Sequence, residues 1–125
     1  MHRSIPVLVV EDDLIVRMDI VDSLQEAGFK SVEAGSASEA ISVLESRSEI
    51  RVVFTDIEMP GTMDGLALSH YVRHRWPPTI VVISSGQRKP SRDEMPVNVK
   101  FIAKPYHSTH LANILQGIKR QLGQA

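Results

Sequence analysis

Seven polar residues stand directly after short apolar, β-branched runs. Glu11, Asp12 and Asp13 follow Ile5 to Val10, Asp56 follows Arg51 to Thr55, Ser84 and Ser85 follow Ile80 to Ile83, and Lys104 follows Val99 to Ala103. Two or three carboxylates held near each other repel and resist ionisation, so such a group normally recruits a hard cation with oxygen ligands. Magnesium suits the set, because it takes one or two carboxylates, water and phosphate oxygens rather than an all-protein cage. A lysine and a small hydroxyl beside a metal-bound carboxylate supply what phosphoryl transfer needs, since the transferred group spreads negative charge over its equatorial oxygens. On this reading the metal holds one of those oxygens, Lys104 another and Ser84 a third. Asp56 is the one acid with both the lysine and the hydroxyl as prospective neighbours, which makes it the nucleophile, and carboxylates do form such acyl phosphates.

These residues can meet only if the fold brings the strand ends together. Apolar runs alternate along the chain with segments of helical spacing, the pattern of βα units around a buried parallel sheet. Five units can be placed. Ile5 to Val10 suits a central strand, followed by a helix carrying Leu14, Met18, Val21 and Leu24 as its apolar stripe and closed by Gly28 in a left-handed cap. A strand over Phe29 to Ala34 leads to Ser36 and Glu39, a capping box, and to a helix buried through Ala40, Ile41 and Leu44. The third strand, Arg51 to Thr55, ends at Asp56, and a helix through Leu66, Leu68, Tyr71 and Val72 stops at Pro77-Pro78. After the fourth strand, Pro90 and Pro96 leave room for at most a short helix in residues 87–98. The last helix, opened by Ser108 or Thr109, carries Leu111, Ile114, Leu115, Ile118 and Leu122. The whole chain, residues 1–125, reads as one doubly wound α/β domain with five parallel strands and helices on both faces. Such folds place their ligand at the carboxyl ends of the strands.

Composition narrows the function classes. With 14 basic against 15 acidic residues, bulk charge gives no reason to expect binding to nucleic acid or to a membrane. The absence of cysteine excludes a disulfide framework and a thiolate metal site, and fits a cytoplasmic protein. The apolar run at the amino terminus is too short for a signal peptide or a membrane span.

Four motifs in this order resemble the receiver domains of response regulators over essentially the whole chain: Val-Val-Glu11-Asp12, Asp56-Ile-Glu-Met-Pro60 with Asp64-Gly65, Ser84 closing the fourth strand, and Lys104-Pro105 closing the fifth. The resemblance implies a flavodoxin-like sheet of order 2-1-3-4-5 and a magnesium-dependent switch of a two-component phosphorelay. Asp56 would accept phosphate from a phosphohistidine, on a sensor histidine kinase or a histidine phosphotransfer protein. Asp12, Asp56 and the main-chain carbonyl of Glu58 would bind Mg2+, with Glu11 helping through water. Ser84 and Lys104 would contact the phosphate, Phe101 would change rotamer with it, and the peptide before Pro105 would be cis. The downstream protein stays unnamed and a homodimer stays open, as does whether the chain stands alone or was cut from a longer protein.

Departures from the family pattern are visible. The fourth strand ends in tandem serines where threonine is commoner; Ser84 completes the usual apolar run and leaves Ser85 where a small side chain is wanted. The turn from Pro60 to Gly65 is one residue longer than the commonest form, and the region of the family's fourth helix is rich in proline.

Other readings of the same residues exist. Asp13 suits the N-cap of the first helix. A small magnesium-dependent phosphohydrolase of the haloacid dehalogenase type would carry Asp-x-Asp after the first strand, where this chain has Glu-Asp-Asp, and would need a cap domain. A flavodoxin-like cofactor carrier needs a hydroxyl and glycine loop there, and three acids would repel its phosphate. A receiver-like binding module without phosphorylation would have no need of the full set Glu11, Asp12, Asp56, Ser84 and Lys104. His70 with His74 and His107 with His110 have metal-compatible spacing but no third ligand, and read as surface histidines. Arg88, Lys89 and Arg92 read as a solvated loop.

Overall fold

The computed structural model describes residues 5–123. Val7, Leu8, Val9 and Val10 have no exposed surface, so the first strand must be covered on both faces, as a parallel sheet requires. Five parallel strands follow: β1 (Ile5–Val10), β2 (Phe29–Ala34), β3 (Val52–Asp56), β4 (Ile80–Ser85) and β5 (Val99–Ala103), in spatial order β2-β1-β3-β4-β5. Four helices connect or follow them: α1 (Leu14–Glu26), α2 (Ala37–Ser46), α3 (Gly65–Arg75) and α4 (Ser108–Gln121). Between β4 and β5 there is only a single 3-10 turn, Arg92–Glu94. Among the described residues no helix is long and apolar enough to cross a membrane.

Side chains alternate across the strands and divide the core in two. Leu8, Val10, Val53, Val81 and Ile83 face α2 and α3, where Ala40, Leu44, Leu68 and Val72 meet them. Val7, Val9, Val52, Phe54, Val82 and Ile102 face Ile20 and Leu24 of α1 and Leu111, Leu115 and Ile118 of α4. Burial of each large aliphatic side chain contributes about 1.5–3 kcal/mol, and strands and helices share the buried apolar side chains that drive folding.

Helix ends follow local chemistry. The Asp13 carboxylate accepts the N–H groups of Ile15 (2.9 Å) and Val16 (3.1 Å), Ser36 caps Glu39 N–H (3.1 Å), and Asp64 caps Ala67 N–H (2.8 Å). Gly28 at φ +88° closes α1 in the left-handed conformation that suits glycine.

Two expectations need correction. The predicted α1 stripe is wrong at two of four positions: Leu14 is 57% and Met18 56% exposed, whereas Ile20 and Leu24 are buried with Val16 and Val21 partly so. At about 100° per residue, Leu14 and Met18 lie roughly 120–160° around the helix from Ile20. The helix carries two apolar rows, and the sheet accepts the one through Val16, Ile20 and Leu24. Helix α4 opens at Ser108, one of the two residues predicted, and His107 before it makes no side-chain cap bond. The His107 carbonyl already accepts Leu111 N–H (3.2 Å), which makes Ser108 the first helical residue. β3 begins at Val52, and exposed Arg51 lies outside it.

Candidate functional site

Register fixes where the strand ends meet. Val10 of β1 lies beside Thr55 of β3, and Asp56 lies beside Ser84 of β4, whose neighbours on β5 continue to Ala103. Glu11, Asp12, Asp56 and Lys104 therefore converge at the carboxyl edge of the sheet. Carboxylate oxygens of Glu11, Asp12 and Asp56 all lie within 4.8 Å of one another, and Glu11 and Asp56 are buried at 2% and 6% exposure. Among the described residues this is the one group of three such side chains close enough to share a metal ion. Its donors are all hard carboxylate oxygens, matched to a cation such as Mg2+ or Ca2+ and not to a soft metal.

The electrostatics agree. Burial, with the Asp56 charge adding to it, pushes the Glu11 carboxyl up to about 7 against the lowering effects of Asp13 N–H, which donates to its Oε2 at 3.0 Å, and of Lys104. Lys104 Nζ stands 3.3 Å from Asp56 Oδ2 and 3.4 Å from Glu11 Oε1, so one ammonium partly offsets two buried acids. Three acids against one lysine leave an excess of negative charge that a divalent cation would neutralise.

Local backbone holds this geometry. Glu58 N–H donates to Asp56 Oδ1 at 3.3 Å, and Gly65 N–H to the Ile57 carbonyl at 3.0 Å. A Cβ on Gly65 would lie 1.9 Å from the Asp56 carbonyl oxygen, so α3 can start this close beneath the acid only with glycine there. The Lys104-Pro105 peptide is cis.

The two serines differ. The Ser84 hydroxyl is fully buried and has no hydrogen-bond partner, whereas Ser85 donates to Glu58 Oε2 and accepts Arg88 N–H at 3.0 Å. A buried hydroxyl without a partner is rare and points to a group that supplies one. Phe101 lies opposite Ile83, partly buried against the α2 and α3 face.

One participant had gone unread in the sequence. Arg17 Nη1 donates to the Glu11 carbonyl at 2.8 Å while its Nε bonds Glu33 at 2.9 Å, fixing the acid loop to β2. Its position one helical turn after the Asp13 cap was the available signal. Tyr106 packs on the α1 and α4 core, and burial, followed by the charges of Asp19, Glu11 and Asp56, pushes its hydroxyl up to about 12. His70 is exposed, as expected, yet its Nε2 lies 2.6 Å from the Glu94 carbonyl and ties α3 to the irregular segment. Arg88 in turn is paired with Glu94 rather than simply solvated.

Comparison with known proteins gives a consistent result. Residues 7–116 match the family model of the response regulator receiver domain. The chain is 33% identical over 117 residues to the sensor kinase CckA of Brucella abortus and 31% identical over 121 residues to the response regulator protein FleR of Pseudomonas aeruginosa. It covers 12% and 25% of those two proteins, which cover 90% and 94% of it. The solved REC domain of AraT, a response regulator from Geobacillus stearothermophilus, superposes with a TM-score of 0.80 at 26% identity, with 97% of each chain covered.

Proposed function

The chain belongs to the response regulator receiver domain family, and on that premise we propose that it is a phosphoryl-accepting switch whose acceptor is Asp56. The observation that carries this reading is the environment of Asp56: a buried carboxylate at a strand end, 3.3 Å from Lys104 and within 4.8 Å of two further acids. Receiver domains are signalling switches, and the donor here is a phosphohistidine on a histidine kinase or a phosphotransfer protein.

An oxygen of Asp56 attacks phosphorus as the N–P bond of the donor breaks, its electron pair returning to the imidazole and an O–P bond forming to the carboxylate. Mg2+, held by Asp12, Asp56 and the Glu58 carbonyl with Glu11 behind them, would offset the charge of the transferred oxygens. Lys104 exchanges its contact with Asp56 for one with a phosphoryl oxygen. Ser84 donates its free hydroxyl to another, which gives that buried group its missing partner. Phosphorylation adds about two negative charges at a site already rich in acids. The movement of Ser84 and Lys104 to meet them shifts a pre-existing equilibrium, read at the surface around Phe101.

Incubation with acetyl phosphate and Mg2+ should add one phosphoryl mass, labile to hydroxylamine. Asp56→Asn and chelation of Mg2+ should each abolish it. A wild-type protein that stays unlabelled, or an Asp56→Asn variant that is labelled equally, would overturn the reading.

A further inference from the structure

Glu58 has two ends with different tasks. Its main-chain N–H reaches Asp56, but its side chain crosses to the neighbouring strand, where Oε2 accepts the Ser85 hydroxyl and Oε1 accepts Gly86 N–H at 3.1 Å. The same Ser85 hydroxyl accepts Arg88 N–H at 3.0 Å, and the Arg88 side chain pairs with Glu94, whose carbonyl meets His70. A continuous run of polar contacts thus leads from the acceptor carboxylate to the segment that replaces a helix between β4 and β5. Gly86 also borders the Lys104 side chain: a Cβ on it would lie 3.6 Å from Lys104 Cβ. The Glu58 carboxylate accordingly spans the gap between the β3 and β4 ends, beside the space that a phosphoryl group on Asp56 would enter.

We propose that the Glu58 side chain is a latch: it restrains the 85–88 turn in the unmodified protein, opposes phosphoryl transfer to Asp56, and lets go of Ser85 and Gly86 when the transfer occurs. This rests on Asp56 being the phosphoacceptor. The physical cause is charge and competition for donors. A phosphoryl group brings about two negative charges two residues from an existing carboxylate, and repulsion between them is strong at a partly buried site. The incoming oxygens also need donors, and Glu58 holds Gly86 N–H and the Ser85 hydroxyl while Ser84 is left free. The tandem serines thereby divide the work. Ser84 is available to the phosphate, and Ser85 belongs to the latch. Once Glu58 lets go, the Ser85 to Arg88 contact loses its anchor, and the polar contacts that hold residues 86–98 loosen in sequence.

The test measures labelling rates with acetyl phosphate and Mg2+ for wild type, Glu58→Ala, Ser85→Ala and the double variant, with amide hydrogen exchange of Gly86 and Arg88 in each unmodified protein. Both single variants keep the Glu58 carbonyl and should label faster, on the order of tenfold, the factor one hydrogen bond to a charged group is worth. The double variant should be no faster than the faster single one, because both remove the same contact. Gly86 exchange should rise in Glu58→Ala, and Arg88 exchange in Ser85→Ala. Labelling of both single variants at or below the wild-type rate, or multiplication of their effects in the double, overturns the latch. If Glu58→Ala does not fold, Ser85→Ala carries the same rate expectation by itself. A wild-type protein that is not labelled at all refutes the acceptor reading instead, while the exchange measurements still judge the Glu58 contact.

Discussion

The carboxyl ends of β1, β3 and β5 and the connection between β4 and β5 lie side by side but are held by different forces. The first region rests on β1 and β3, whose side chains are mostly buried, and on the edge strand β5, with backbone ladders on both sides of β1, β3 and β4. The second, residues 86–98, has one 3-10 turn, buried Pro90 and partly buried Met95 as its apolar anchors. Otherwise it is held by Glu58, the Arg88 pair with Glu94, the His70 contact and the bond from Ser91 N–H to the Glu94 carboxylate at 3.0 Å. Apolar packing resists local opening, whereas exposed polar contacts are individually weak. A chemical event in the rigid region can therefore be expressed by rearranging the pliant one at little cost to the fold.

Breaking the rigid side should have the largest effect. Gly65→Ala puts a methyl 1.9 Å from the Asp56 carbonyl, where two backbone segments meet and neither can yield cheaply. We expect destabilisation of about 3 kcal/mol or more, read by chemical denaturation, together with loss of labelling at Asp56. A stable Gly65→Ala protein that is labelled at the wild-type rate would show that the acid loop is pliant too.

The acids test the same rigidity through pH. Because the folded-state carboxyl of Glu11 is raised from 4.5 to about 7, the metal-free folded protein binds more protons than the unfolded chain between those values. The contribution of Glu11 to stability is therefore fully present below about pH 4.5 and declines as pH rises through about 7, by on the order of 3 kcal/mol. The difference in unfolding free energy between wild type and Glu11→Gln, followed from pH 4 to 8, should trace that slope, and saturating Mg2+ should flatten it. A difference that does not vary with pH would mean that Glu11 is hydrated in solution.

The smallest effect belongs to the pliant side. Arg88 and Glu94 are 47% and 41% exposed, so Arg88→Ala should change stability by less than about 1 kcal/mol, and less still at high salt. Thermal melts at low and high salt would show it. A loss as large as that from Gly65→Ala would erase the contrast between the two regions.

Much of this architecture was legible in the order of residues. Buried parallel strands need unbroken apolar runs, and β2 and β5 fall where the runs predicted them. Asp13, Ser36 and Gly28 act locally, through their own neighbours in the chain, so their roles could be read from type and position. The irregularity after β4 follows from two prolines for the same reason. The candidate acids and lysine were visible because each interrupts an apolar pattern at the end of a strand.

What the sequence could not determine depends on contacts between residues far apart along it. Helix α1 offers two apolar rows of comparable quality, and only packing on the sheet and α4 chose Val16, Ile20 and Leu24 over Leu14 and Met18. The difference between Ser84 and Ser85 arises because a carboxylate 27 positions earlier bonds one of them, and His70 meets a carbonyl 24 positions later. Residue type and local spacing decide strands, caps and which side chains can do chemistry, because those depend on sterics and hydrogen bonds within a few residues. Which row is buried, which hydroxyl is free and which acid shares its charge with which lysine were decided by the sheet, whose register brings distant strand ends together.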